Sequence, residues 1–148
     1  MRRRIRVCTV MIVALCAGVG VRAADKVLTV EELDKTMKKI APAQQAVSKA
    51  IQAMAYADAK RQLDLIETEL DDASTFWVVK KREDATKFTR EALTKIDTLK
   101  KLLDAKLPDA MAIMTAYREV GTACATCHRV YRATDENNNF ILKPGTIR

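Results

Sequence analysis

Between residues 29 and 134 the apolar side chains recur at gaps of three and four, with charged or small residues between them. That is the period of α-helices buried along one face. Four stretches carry it. The first opens on Thr29-Val30-Glu31-Glu32, a capping-box pattern, and runs Val30, Leu33, Met37, Ile40, Val47, Ile51, Met54. Pro42 lies inside it and predicts a kink, or a helix that loses its first turns. The second is expected from Asp58 as N-cap, with Leu63, Ile66, Leu70, Ala73 and Trp77 on its inner face. The third begins near Asp84 with Ala85, Phe88, Ala92, Ile96, Leu99 and Leu103. The fourth follows Leu107-Pro108-Asp109, where a proline close to the first turn is well tolerated, and shows Ile113, Tyr117, Val120, Cys124, Cys127 and Tyr131.

Connections of about two to five residues make sequential helices antiparallel. The predicted fold is all-α, an up-down-up-down (antiparallel) four-helix bundle over residues 24–134. Composition agrees, because Gly121 is the single glycine in that span and alanine, leucine, lysine and glutamate dominate. Residues 135–148 break the period. Asp135-Glu136-Asn137-Asn138-Asn139 ends the helix and Pro144-Gly145 reads as a turn. This tail is expected to fray, unless Phe140, Ile141 and Leu142 dock back on the bundle.

The first 23 residues change the charge picture. Arg2, Arg3, Arg4 and Arg6 precede an apolar run from Val7 to Val21, and Val21-Arg22-Ala23 suits cleavage. This reads as a secretory signal peptide, too short for a membrane span of roughly twenty residues. The whole chain has a formal charge of +7, but five arginines leave with that segment. The remainder holds 21 basic against 19 acidic side chains, a net of +2. The basicity is therefore mostly targeting, and nucleic-acid binding loses its main support. Export to a bacterial periplasm follows, with no stable membrane insertion after cleavage. Cys8 and Cys16 leave too, so only Cys124 and Cys127 remain.

Those two lie in Cys124-Ala125-Thr126-Cys127-His128, the attachment signature of a c-type haem. Thiols three apart on a helix share a face and reach the two vinyl groups along one porphyrin edge. His128, directly after, becomes the proximal iron ligand. A thioredoxin-like pair would want a βαβ pattern, and a tetrahedral zinc site needs four ligands. Neither requirement is met: no third cysteine or second histidine remains. Both cysteines continue the apolar register of the fourth helix, so the haem should hang on its inward face, partly within the core. Aromatic residues make up only 5% of the chain, so a haem would supply much of an aliphatic core's bulk.

His128 is the sole histidine, so the opposite axial position falls to methionine, to a weaker group, or to none. Met37, Met54, Met111 and Met114 are the methionines outside the signal. In an antiparallel bundle the start of the first helix lies beside the end of the fourth. Met37 is at that end, whereas Met54 lies roughly 25 Å further along and Met111 and Met114 roughly 20 Å or more from His128. Met37 is thus either the distal ligand or an ordinary core gap-filler.

Gly121-x-x-Cys124-x-x-Cys127-His128-x-x-Tyr131-Arg132, closing a four-helix chain behind an export signal, resembles the class II c-type cytochromes: cytochrome c′ and its low-spin, methionine-ligated relatives. The resemblance covers about residues 29–132. It implies one covalent haem c, with a methionine of the first helix, here Met37, as sixth ligand. Phe76-Trp77 resembles an aromatic pair of one subgroup, set against the haem; ordinary core packing is its other reading. Arg132 would neutralise a propionate or sit in solvent. The resemblance also implies redox protein partners and, at family level, a homodimer. Pro42 and the long tail depart from the family pattern.

The function expected is electron transfer, with no enzymatic activity. The alternative is a five-coordinate gas-binding or sensing module. A peroxidase lacks a second histidine as distal acid or base, and a purely structural haem is the weakest of the four readings.

Overall fold

The computed structural model describes residues 29–137 and 139–147; residues 1–23, expected from the sequence to be a signal peptide, lie outside them. The chain is mostly helical, with four helices: α1 (Val30–Gln52), α2 (Tyr56–Val79), α3 (Glu83–Leu103) and α4 (Ala110–Tyr131). A short antiparallel pair follows, β1 (Arg132–Thr134) and β2 (Phe140–Leu142). No described helix is long and apolar enough to cross a membrane.

The helix ends follow from local chemistry. Thr29 and Glu32 form the reciprocal capping box, Glu32 N donating to Thr29 Oγ1 at 3.1 Å and Thr29 N to Glu32 Oε2 at 2.8 Å. Asp109 Oδ1 accepts from the amides of Met111 and Ala112, starting α4. α2 differs from the expectation. It begins at Tyr56, with Ala55 as an N-cap that makes no side-chain bond, and Asp58 lies in its first turn. The reason is the tight turn before it. Met54 adopts φ +54°, Met54 N donates to Ile51 O, and Ala55 N donates to Ala50 O. This is a Schellman turn, and it delivers the chain straight into α2. The α2–α3 turn repeats it, with Lys81 at φ +54°, Lys81 N on Val78 O and Arg82 N on Trp77 O. Two residues with side chains thus occupy positions that favour glycine.

Pro42 does not split α1, which is continuous through it. Proline and the residue four before it, Lys38, are both exposed. The carbonyl deprived of its helical donor therefore faces water, where the loss is mildest.

The core forms two clusters. The larger takes in Ile40, Val47 and Ile51 of α1, Leu63 and Ile66 of α2, Ile96 and Leu99 of α3, and Ile113 and Val120 of α4. The smaller gathers Leu33, Ala73, Phe76, Trp77, Ala85 and Tyr131: the start of α1, the end of α2, the start of α3 and the end of α4. The predicted inner faces are buried with few exceptions. Val30 and Met54 are exposed, and Met37, Phe88, Tyr117, Cys124 and Cys127 are half-buried. α1 packs along α2, α2 along α3 and α3 along α4, whereas α1 and α4 touch over a far shorter length.

The expectation of a frayed tail is corrected. Asp135 accepts from the amides of Asn137 and Asn139, tightening the hairpin turn. Arg132 pairs with Leu142 across the strands. Lys143 then covers the end of α4, its amide donating to Tyr131 O at 2.8 Å and its Nζ to Arg129 O at 2.6 Å. The last carbonyls of a helix lack intrahelical partners, and the tail supplies them here. Of the three apolar residues expected to dock, Leu142 does so, joined by Ile147, while Phe140 and Ile141 stay exposed.

Candidate functional site

The last two turns of α4 carry the candidate chemistry. Cys124 and Cys127 are free thiols, both half-buried. Helical spacing turns both inward, but toward different surroundings: Cys124 packs against the larger cluster and Cys127 against the smaller. Burial pushes the Cys124 thiol up. Burial, reinforced by the charges of Cys124 and Asp84, pushes Cys127 up to about 11. Both are therefore protonated thiols at neutral pH, unlike the thiolates of zinc sites and redox pairs. Among the described residues no group of three or more histidine, cysteine or acidic side chains could hold a metal ion.

His128 is half-buried, and burial, followed by the Arg132 charge, lowers its pKa. A neutral imidazole with a free lone pair results, the form that binds iron.

Met37 lies where the two clusters meet. Among the described residues it is the only partly buried apolar side chain that packs against both. The other methionines are elsewhere: Met54 is 74% exposed, Met111 is 77% exposed, and Met114 packs on the larger cluster alone.

Trp77 is 3% exposed and packs at a tilt against Tyr131, 4.7 Å between ring centroids, with Phe76 edge-on at 4.9 Å. The aromatic pair of α2 and Cys127 thus share one cluster. Sequence reasoning missed what ties this cluster to the surface. The buried Tyr131 hydroxyl donates to Asp84 Oδ1 at 2.7 Å and accepts from Arg82 Nε at 3.0 Å. The Tyr131 bond is the main reason the Asp84 carboxyl is held below its usual range. No signal in the sequence marks Tyr131 as the partner of Arg82 and Asp84, since it ends α4 while they stand at the start of α3. Arg132, expected at a propionate or in solvent, lies over the Phe140 ring at 4.1 Å.

These residues fit a covalently held haem as a donor set: two inward thiols one turn apart, an adjacent neutral imidazole, and a thioether at the junction of the clusters. The short α1–α4 contact bears on the fit as well. A hydrogen bond across it runs from Tyr117 Oη to Gln44 O at 3.2 Å, about two turns from Cys124. A planar group between Met37 and the cysteines would interrupt no long packed seam.

No family model, no curated protein and no solved structure matches the chain.

Proposed function

We propose that the protein is an exported, periplasmic electron carrier similar to the low-spin class II c-type cytochromes, its four helices running up-down-up-down. Cys124 and Cys127 would hold one haem through thioether bonds, each thiol adding across a vinyl group. His128 would be the proximal ligand and Met37 the distal one. The observation that carries this reading is the position of Met37: alone among the partly buried apolar side chains of the described residues, it packs against both clusters that Cys124 and Cys127 enter.

Bound there, the group supplies a one-electron ferric–ferrous couple, with a potential raised by thioether ligation. The chain's own residues do the rest. Phe76, Trp77 and Tyr131 keep water from the cysteine side of the site, and burial keeps His128 neutral. Met37 comes from α1 and His128 from α4, so each donor would be carried by its own helix.

Expression with c-type haem maturation, mass spectrometry and an optical spectrum test the reading. The expected result is a mass increase of one haem and a low-spin ferric spectrum whose iron–sulfur charge-transfer band disappears in Met37→Ala. An unaltered mass refutes haem attachment. A high-spin wild type whose ferrous form binds carbon monoxide readily refutes Met37 as ligand and supports the gas-binding alternative.

A further inference from the structure

At the α2–α3 turn lies a half-open cleft of about 540 Å³. Its apolar floor is Trp77 and Val78, and its cations are Lys81, Arg82, Lys87 and Arg90, against the single acid Glu83. Arg82 is engaged with Tyr131 and Asp84. No salt bridge among the described residues engages Lys81, Lys87 or Arg90.

We propose that this cleft is the docking surface for an acidic face of an electron-exchange partner protein. The proposal rests on the haem reading, because docking here matters only if the redox centre is next to it.

Three observations argue for it. First, four cations face one acid here, whereas residues 24–148 together carry 21 basic against 19 acidic side chains. Several lysines elsewhere pair with acids, as Lys95 does with Glu119 and Lys100 with Asp64 and Glu67. Three cations around one cleft with no salt bridge among the described residues favour an anionic counterpart. Second, Val78, which lines the cleft with those cations, is 60% exposed. A small apolar centre with a charged rim is the anatomy of a transient protein interface, and a half-open cleft suits a protein surface better than an enclosed small ligand. Third, Trp77 belongs both to the cleft floor and to the cluster that contains Tyr131 and receives Cys127. A partner seated on the cleft would therefore touch the same cluster that Cys127 packs against.

The test uses the purified, isotope-labelled protein and poly-L-glutamate as an acidic probe, followed by backbone amide shifts. The expected shifts fall on residues 77–90, with affinity weakening about tenfold as salt rises from about 20 to about 200 mM. They should vanish in Lys87→Glu/Arg90→Glu and persist in Lys49→Glu/Lys106→Glu. Oxidation of the ferrous protein by hexacyanoferrate(III), one electron passing to the anion, should slow about tenfold in the first variant alone. Shifts spread over all four helices, shifts kept in Lys87→Glu/Arg90→Glu, or equal shifts with orthophosphate at matched charge overturn the proposal. A haem protein lacking localised shifts sinks the docking surface alone. A protein without covalent haem sinks the reading beneath it, so the two failures are distinct.

Discussion

The Tyr131 hydroxyl donates a 2.7 Å hydrogen bond to the Asp84 carboxylate, joining the last turn of α4 to the first turn of α3. Tyr131 is 2% exposed, so its hydroxyl has little access to water should this bond and the one from Arg82 be lost. Tyr131→Phe removes the donor and should cost about 0.5–1.5 kcal/mol of stability, read by urea denaturation. No loss would mean that the bond to Asp84 is not formed in solution.

The same pair sets an acid limb. Asp84 has a folded pKa below its ordinary value of 3.8. A depressed carboxylate contributes stability that is fully present above the unfolded pKa and lost as pH falls through the folded one. The wild type should therefore lose stability below about pH 4, and Tyr131→Phe should lose less over that range. Parallel acid profiles for the two proteins would contradict the assignment.

Glu69 is 6% exposed on α2, and Lys39 of α1 donates to both of its oxygens, at 2.9 and 3.1 Å. Removing the cation leaves a buried carboxylate unpaired. Lys39→Met should cost about 1–3 kcal/mol, while Lys39→Met/Glu69→Leu should recover most of it. Thermal or urea melts of both variants decide this.

Met54 holds a left-handed backbone at φ +54° while its side chain is largely in solvent. Glycine there relieves the conformational cost and forfeits almost no packing. Met54→Gly should stabilise the protein by about 0.5–1 kcal/mol. Destabilisation would show that the side chain is needed in the turn.

Pro42 removes one backbone donor from the middle of α1. Because Pro42 is exposed, Pro42→Ala restores that bond without touching the core. A gain of about 1–3 kcal/mol is expected from denaturation midpoints. An unchanged midpoint would mean that the helix has fully adapted to its proline.

Much of the architecture was legible before any coordinates. The stripes Leu63, Ile66, Leu70, Ala73, Trp77 and Ala85, Phe88, Ala92, Ile96, Leu99, Leu103 are buried as their spacing requires, Phe88 only in part, because helical periodicity is a local property. The Thr29–Glu32 box also acts within four residues. Asp58 misled for the opposite reason. Nothing in its neighbourhood says that Met54 will enter a left-handed turn and start α2 early. The hairpin after α4 was equally hidden, since its worth comes from Lys143 and Leu142 meeting the end of α4.

The chain alone determined the four helical faces, the inward register of Cys124 and Cys127, and the lone His128 beside them, because each follows from spacing along a single helix. Only the folded molecule decided that Met37 would sit at the junction of two core clusters, that Tyr131 would meet Asp84 and Arg82, and that Lys81, Lys87 and Arg90 would surround one cleft with Trp77 beneath. Those relationships join residues on different helices. They are set by which faces pack together, and no one segment's period encodes that.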